Sequence, residues 1–154
     1  MKLIESELVL EDFFIVKSNY AFNEPENNNN INNIKNLIKD YHIDIDFIVK
    51  DIEEEDKYII FIKVDINNQD EILPGYSLFA EGVAIFSFDP DSKLNETEKS
   101  DFLWVSGVSI SINSLRSFIS TFTSYFPLGK YNLPSVDLTT LLNTKRKALN
   151  KKKS

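Results

Sequence analysis

The clearest hydrophobic pattern in the chain lies at residues 76–88, where apolar residues occupy both alternating sets of positions. Aromatic and β-branched residues fill this segment, and the turn dipeptides Pro74-Gly75 and Asp89-Pro90 bound it, which predicts a strand. A strand with one face in water alternates apolar with polar residues, so this pattern indicates that both faces are covered. One set contains Tyr76, Leu78, Ala80, Ala84, Phe86 and Phe88, and the other contains Phe79, Val83 and Ile85.

Residues 108–126 repeat apolar side chains at spacings of three and four, which predicts a long helix. Its other positions carry small hydroxyl residues where surface helices usually carry Lys and Glu. Small polar residues let a second helix approach closely, so this side predicts a contact between copies of the chain; the alternative is an exposed, weakly helical surface. Arg116 either has a partner there or extends to water. The candidate interface residues are Ser109, Ile112, Arg116, Ser120 and Thr123.

Three earlier segments also predict strands. Residues 8–22 form the first, with a bulge near Glu11-Asp12 where the alternation slips. Residues 41–49 and 58–66 alternate cleanly, with the acidic run at residues 51–57 as the turn between them. The four strands predict an antiparallel sheet, and the helices that follow cover only one of its faces. The apolar residues on both faces of the fourth strand therefore predict self-association.

An asparagine-rich segment at residues 23–38 separates the first two strands. Asn favours turns, so this segment predicts a long crossover, although its Ile and Leu residues are spaced for a helical turn. A long loop of this kind is either functional or a variable insertion, and the sequence favours neither. After the long helix, residues 127–134 form an extended link. Ser135 and Asp137 then predict the start of a short final helix with Leu138, Leu141 and Leu142 on one side.

Composition narrows the classes of function. The chain has 154 residues, enough for one domain with a real core, and 24 acidic against 17 basic residues give a net charge of −7. This balance argues against nucleic-acid binding, which requires a basic face. The lack of cysteine excludes disulfides and thiol chemistry. With no signal peptide and no apolar run of membrane-spanning length, we expect a cytoplasmic protein without membrane insertion.

No residue pattern indicates a catalyst. His42 is the single histidine, and on a strand face beside Asp44 and Asp46 it is most simply exposed to solvent, because metal sites need further ligands. The acidic run at residues 51–57 lacks the spaced ligands and central Gly of a calcium loop. None of the four glycines lies in a phosphate-binding motif. We therefore expect no enzyme activity, no metal and no cofactor.

The order of these parts resembles the SecB-like protein-export chaperones. The matching residues are the strand at 79–88, the helix segment 113–119, the link Phe126-Pro127-Leu128 with Leu133-Pro134, and Leu138, Leu141 and Leu142. The resemblance implies an α+β fold in which a long helix and a short C-terminal helix pack on one face of a four-stranded antiparallel sheet. It also implies a dimer of dimers and one domain at residues 1–144. Residues 145–154 form a basic tail.

By this resemblance, the expected function is ATP-independent binding of unfolded polypeptides. Holding such chains requires exposed apolar and aromatic surface, and 12 Phe and 6 Tyr in an acidic chain supply it. The hypothesis places the groove between the crossover, the link and the final helix. Each residue of this hypothesis has ordinary core packing as the alternative. The candidate client-binding residues are Phe22, Ile34, Tyr41, Tyr131, Leu133, Leu138 and Leu142.

The tail departs from the resembled family. Export chaperones of this kind end in a Cys- and His-containing tail that binds zinc and docks on the ATPase SecA, whereas residues 145–154 carry six basic residues and neither Cys nor His. Docking on SecA by that route is therefore in doubt. A chaperone that guards a toxin–antitoxin pair remains open, as does a basic tail that simply stays solvated. The alternative function is an adaptor or structural protein that binds one dedicated folded partner.

Overall fold

The computed structural model describes residues 4–25, 31–52, 56–69 and 71–152. Predictions for the crossover at 26–30, the acidic turn at 53–55 and the end of the tail at 153–154 lie outside these ranges. The elements are β1 (Leu8–Asn23), α1 (Ile31–Leu37), a 3₁₀ turn (Ile38–Asp40), β2 (Ile43–Ile52), β3 (Lys57–Ile66), β4 (Gly75–Phe88), α2 (Glu96–Phe102), a π-helical turn (Leu103–Gly107), α3 (Val108–Thr123) and α4 (Leu138–Lys152).

The predicted four-stranded antiparallel sheet is confirmed, and its strand order is β1-β4-β3-β2. The first strand, β1, pairs with β4 although the two are distant in sequence. In this pairing Phe22 lies opposite Tyr76. The bulge predicted near Glu11-Asp12 is present, and a second register shift lies between Ile15 and Lys17. Bulges increase the local twist of a strand. Because β1 and β2 are the outer strands, β4 lies inside the sheet with both backbone edges paired.

The helices cover one face of this sheet and form the core with it, as predicted for the fold class. On the sheet side, Ile60, Val64 and Phe86 have no exposed surface, and Leu115 and Ile119 of α3 are 1 % exposed. The π-helical turn comes close to the sheet through a glycine. A Cβ atom on Gly107 would lie 2.8 Å from Cδ1 of Ile60, so a larger residue there would push the helix away from the sheet.

The long helix begins twelve residues before the predicted start. Asn95 and Glu98 form a capping box, in which the Asn95 side chain accepts from the amides of Thr97 and Glu98 while Glu98 accepts from the Asn95 amide. The polar stretch around Asn95 looks in the sequence like a break between elements, but it is the start of a helix. Within the helical run Glu96–Thr123, an 18-residue window has a mean hydropathy of 1.2, which meets a length-and-composition criterion for crossing a membrane. The core helix of a soluble protein meets the same criterion, and here the apolar side packs on the sheet.

The final helix, α4, begins at Leu138 rather than at the predicted Ser135. The Asp137 carboxylate accepts hydrogen bonds from the backbone amide and hydroxyl of Thr140, and these bonds lower the pKa of Asp137. The helix then continues to Lys152, so residues 145–152 of the predicted tail are its second half. Two basic side chains have partners: Lys145 binds the Asp46 carboxylate on β2, and Arg146 lies 5.5 Å from the ring centre of Trp104.

Candidate functional site

Six aromatic side chains meet at one end of the sheet, where the crossover and the link reach the start of β4; we call this cluster the aromatic junction. The rings of Tyr20 and Phe126 stack with centroids 3.6 Å apart. Phe22 packs edge-on to Tyr76 at 6.3 Å, and Tyr41 stacks on Tyr131 at 6.2 Å. Such contacts add stabilisation beyond simple burial. The aromatic junction consists of Tyr20, Phe22, Tyr41, Tyr76, Phe126 and Tyr131.

Tyr41 ties the crossover to β4. Its hydroxyl donates to the carbonyl of Pro74 and accepts from the amide of Tyr76, both at 2.9 Å. Burial raises the pKa of this hydroxyl, although the amide bond from Tyr76 opposes that rise. The hydroxyl stays protonated at neutral pH and can donate and accept at once. The end of the crossover is therefore held against the start of β4.

Tyr76 ties the link to the same point. Its ring is fully buried, and its hydroxyl donates to the Gly129 carbonyl at 2.9 Å while accepting from the Leu128 amide at 2.8 Å. Burial raises the pKa of the Tyr76 hydroxyl as well. One residue of β4 thus bonds to the crossover through its backbone and to the link through its side chain.

Gly75 is where these segments converge. Its φ of +106° is a conformation that other residues adopt only under strain. A Cβ atom there would lie 2.1 Å from the Tyr41 hydroxyl, 3.0 Å from Ile34 and 3.2 Å from Leu128. A side chain at this position would therefore collide with both the crossover and the link.

Tyr131 is held from the side of α3. Its amide donates to the hydroxyl of Thr123 at 2.7 Å, and Thr123 donates in turn to the Ile119 carbonyl. Burial, with a smaller contribution from Tyr41, raises the pKa of Tyr131 to about 12. The Tyr131 ring is 3 % exposed, so it lies inside the subunit between the link and the crossover.

Apart from the aromatic junction, a surface depression lies between α3 and the start of α4. This α3–α4 cleft has a volume of about 220 Å³. Arg116 spans its margin, donating to the carbonyls of Leu133 and Pro134 and to the Asn113 side chain. The one cation of α3 therefore has partners within its own chain. The cleft is lined by Ser109, Ile112, Asn113, Arg116, Ser135, Val136 and Leu138.

The structure brings together some of the candidate client-binding residues and separates others. Three of them, Phe22, Tyr41 and Tyr131, belong to the aromatic junction, and Ile34 lies beside it near Gly75, whereas Leu138 lies in the α3–α4 cleft. Phe22 and Leu138 are half-buried. The remaining five are 3–7 % exposed and belong to the core in this conformation: Ile34, Tyr41, Tyr131, Leu133 and Leu142. Their contact with a client stays a prediction.

The candidate interface residues on α3 also divide. Ile112 and Thr123 are 4 % and 0 % exposed and pack inside the subunit, while Ser109, Arg116 and Ser120 are half-buried beside the link. The apolar spacing predicts the side of α3 that faces the sheet, but not which of the small polar residues that side also buries. The exposed positions of α3 are Asn113, Ser117 and Thr121, and the contact of α3 with another copy stays a prediction.

The other candidate chemistry has a plain structural setting. His42 is exposed, and its carbonyl accepts from the amide of Asn67 at 2.8 Å. Among residues 4–25, 31–52, 56–69 and 71–152, no group of three His, Cys, Asp or Glu side chains is arranged to hold a metal ion.

Sequence reasoning missed three members of the aromatic junction, Tyr20, Tyr76 and Phe126. They meet because β1 pairs with β4 and because α3 returns the chain to the same end of the sheet. Their periodicity alone places them only on strand or helix faces. No local signal predicts that the three rings touch.

Comparisons with known proteins identify the fold. No family model matches the sequence, and no curated protein matches it. The chain is similar to the solved structure of a SecB-like chaperone, Rv1957 of Mycobacterium tuberculosis, in complex with a ChAD peptide from the HigA1 antitoxin, with 14 % identity, a TM-score of 0.57 and coverage of 85 % of this chain and 91 % of that one. A protein of unknown function from Streptococcus agalactiae is a weaker match, with 9 % identity, a TM-score of 0.37 and coverage of 84 % of this chain and 98 % of that one. The chain therefore has the SecB-like fold.

Proposed function

We propose that this protein is a chaperone that binds non-native polypeptide segments without ATP. The observation that carries the proposal is the SecB-like fold, together with two segments, the crossover and the link, that are anchored to the same end of β4. A solved protein with this fold is a chaperone in complex with an antitoxin peptide. For the present chain we likewise propose a polypeptide segment as the ligand.

The two segments supply the groove that such a client requires. Phe22 and Leu138 are half-buried and offer apolar surface directly. Ile34, Tyr41 and Tyr131 contact a client only when the crossover and the link separate, because these side chains pack against each other in the closed arrangement. The hydrogen bonds of Tyr41 and Tyr76 limit that separation, so opening the groove requires these bonds to break.

Clients in this proposal are unfolded chains awaiting export or the exposed segment of an antitoxin. The net charge of −7 keeps a protein with apolar surface from aggregating. SecA docking would need a contact other than a zinc-binding tail, since residues 145–152 are helical and two of them bind the sheet and α2. We further propose that the protein works in the cytoplasm as a homotetramer, a dimer of dimers.

Binding to one polypeptide in its unfolded and folded forms tests the function. An unrelated polypeptide held permanently unfolded is expected to bind at micromolar concentration or tighter, while its folded form does not. Phe22→Ser removes half-buried aromatic surface at the groove and is expected to weaken binding about tenfold, which corresponds to roughly 1.4 kcal/mol. Tyr125→Ser is the matched control, because Tyr125 is 90 % exposed and lies outside the groove.

Three outcomes separate the alternatives. Selective binding to the unfolded form, weakened by Phe22→Ser and unchanged by Tyr125→Ser, supports the chaperone and its groove. Binding that neither variant changes rejects this groove. Binding to neither form rejects general chaperoning and favours the adaptor function, in which one dedicated folded partner is recognised.

A further inference from the structure

The charges of this chain are unevenly distributed, because the last part of α4 is basic and the rest of the chain is acidic. Residues 145–154 carry 6 of the 17 Lys and Arg residues and no Asp or Glu. Residues 1–144 carry all 24 acidic residues and the other 11 basic ones, which gives a net charge of −13 against +6. The end of α4 therefore has a charge opposite to that of the body of the protein.

The start of this basic segment is attached to the body. Lys145 donates a hydrogen bond to the Asp46 carboxylate on β2. The Arg146 guanidinium lies 5.5 Å from the ring centre of Trp104 and 3.9 Å from the Asp101 carboxylate. These contacts hold α4 against β2, α2 and the π-helical turn, and the two cations that make them are already paired.

The helical turn that follows is not buried on any side; we call residues 147–151 the basic turn. All five of its residues are exposed. Successive residues of a helix point about 100° apart, so five of them cover every side of the helix. The basic turn rises about 6 Å along the helix axis. It lies beyond the contacts of Lys145 and Arg146 and is accessible to a partner.

The basic turn presents lysines and a leucine in opposite directions. Lys147 and Lys151 are four residues apart and share one side of the helix. Leu149, which is 40 % exposed, lies on the opposite side, about 160–200° round the helix. A flat, rigid partner would contact the lysines or the leucine but not both. A fluid layer that surrounds the end of the helix would contact all three side chains.

The headgroup layer of a lipid bilayer has the dimensions and the chemistry for such a contact. Each headgroup layer is about 5–7 Å thick, which is close to the rise of the basic turn. An anionic headgroup layer attracts lysines, and each lysine near it strengthens binding about fivefold. The boundary between headgroups and acyl chains accepts an aliphatic side chain such as Leu149. Lysine clusters on a helix with exposed apolar residues are typical of peripheral membrane binding.

Nucleic acids and folded proteins suit the basic turn less well. Arginine is the cation favoured in contacts with both, and lysine is depleted at protein interfaces. The single arginine of the basic segment is held by Trp104 and Asp101, and the other basic residues are lysines. The compact charge of lysine makes few demands on direction, so it suits a diffuse layer of phosphate groups. These observations favour a lipid surface.

We propose that the basic turn docks end-on in the headgroup layer of an anionic lipid bilayer and holds the protein at the membrane surface without crossing it. Lys147 and Lys151 contact lipid phosphates, and Leu149 reaches the boundary with the acyl chains. The acidic body stays on the aqueous side, because an anionic surface repels it. Docking concerns the location of the protein and is independent of client binding at the groove.

Flotation with vesicles tests the docking. The full chain is mixed with vesicles of equimolar phosphatidylglycerol and phosphatidylcholine, or with vesicles of phosphatidylcholine alone. Binding is expected only to the anionic vesicles. Raising the salt from about 0.1 M to about 1 M shortens the Debye length from about 10 Å to about 3 Å and is expected to release the protein.

Neutralising the two lysines tests the site. Lys147→Gln combined with Lys151→Gln is expected to weaken binding to the anionic vesicles about 25-fold, a factor of about five for each lysine. Glutamine is as good a helix former as lysine, and far-ultraviolet circular dichroism checks that α4 is intact. Lys35→Gln combined with Lys39→Gln is the matched control. It changes the net charge equally at two exposed lysines outside α4 and is expected to leave vesicle binding unchanged.

Leu149→Ala distinguishes a bilayer from a soluble polyanion. This variant is expected to bind the anionic vesicles about fourfold more weakly, the effect of one methylene group withdrawn from lipid. An RNA duplex in the same buffer is the comparison and is expected to bind more weakly than the vesicles. RNA binding as tight as vesicle binding, with Leu149→Ala unchanged on both, overturns the choice of lipid and assigns the basic turn to a soluble polyanion.

Three further results overturn the docking: no binding to the anionic vesicles, equal binding to the neutral vesicles, or unchanged binding by the double glutamine variant. Binding of an unfolded polypeptide is measured in the absence of vesicles for the same variants and is expected to match the wild-type protein. Failure of the docking and failure of the chaperone function are therefore distinguishable.

Discussion

The two faces of β4 differ both in composition and in what surrounds them. The face that the helices cover carries six apolar residues and Gly82, whereas the opposite face, which we call the open face, carries three apolar residues together with Ser77, Glu81 and Ser87. On the helix-covered face, Tyr76, Ala84 and Phe86 have no exposed surface, and register places only uncharged residues around them. On the open face, Phe79 and Ile85 are half-buried, and Glu81 between them lies next to Lys17 and Lys63. The covered face is therefore the core of the subunit, whereas the open face mixes apolar and charged side chains that are partly exposed.

The two faces of β4 also differ in how closely neighbouring side chains pack on them. On the covered face, a Cβ atom at Gly82 would lie 2.7 Å from the Phe13 ring. Because β4 has a glycine at this position, the Phe13 side chain of β1 can occupy the space. The open face has charged residues in the middle of its strands, where they cost little in water. The polar residues of β4 itself, with the charges on the neighbouring strands, thus distinguish the open face from the core.

The largest expected effect comes from removing apolar side-chain atoms at each of the two faces and comparing the losses of stability. Leu115→Ala removes a side chain that is 1 % exposed against the covered face and is expected to lower the free energy of unfolding by about 3 kcal/mol, within a range of roughly 2–5. Ile48→Ala on the open face, where the side chain is 50 % exposed, is expected to cost less than about 1 kcal/mol in the dissociated subunit. Urea denaturation measures both; equal losses would show that the open face is also core.

A smaller effect is expected at the aromatic junction, where the covered face meets the link. Tyr76→Phe removes the hydroxyl that bonds Leu128 and Gly129 and leaves a buried amide without its partner, so about 1–3 kcal/mol of stability is expected to be lost. Tyr125→Phe, at a side chain that is 90 % exposed, is the control and is expected to change stability by less than about 0.5 kcal/mol.

Tyr76→Phe and Tyr125→Phe also test the groove proposal. If the link is held closed by Tyr76, its amide protons exchange faster with solvent in Tyr76→Phe than in the wild-type protein. Hydrogen exchange at residues 128–131 measures this directly. Unchanged exchange there, despite lower global stability, would contradict the role of Tyr76 as the anchor of the link.

The smallest expected effect concerns the pair that joins α4 to the edge of β2. Burial of Asp46 opposes ionisation, but hydrogen bonds from Lys145 and the Phe47 amide, with the charges of Lys145 and Lys63, lower its pKa below the usual value for an aspartate. A lowered pKa in the folded state stabilises the protein above the unfolded pKa, and this stability is lost as the pH falls through the folded pKa. The pair is partly exposed, so its contribution is expected to stay below about 1 kcal/mol.

Asp46→Asn tests this contribution. The wild-type protein is expected to lose its small advantage over Asp46→Asn as the pH falls below about 4, which urea denaturation at several pH values would record. Asp44→Asn, at an exposed neighbour on the same strand face, is the control. An advantage that persists at the lowest pH would show that Asp46 acts by packing and not by charge.

Much of the fold follows from the sequence. Alternation predicted the first three strands, aromatic and β-branched content between turn dipeptides predicted β4, and the three-and-four spacing predicted the side of α3 that holds Leu115 and Ile119. The helix boundaries could not be predicted, since the capping box at Asn95 and the Asp137 start of α4 look like ordinary polar loops. Among the candidate client-binding residues, Phe22, Tyr41 and Tyr131 lie in the aromatic junction, but Tyr76, which joins their segments, reads in the sequence only as a strand residue.

The sequence by itself determined which residues are strand or helix and that β4 is apolar on both faces, because these properties depend on neighbours a few positions away. Tertiary structure decided that β1 lies beside β4, that Arg116 bonds to the link, and that the charges of four strands line up as one alternating row. Such contacts join residues dozens of positions apart. They depend on strand order and register, which the packing of the whole sheet against its helices sets.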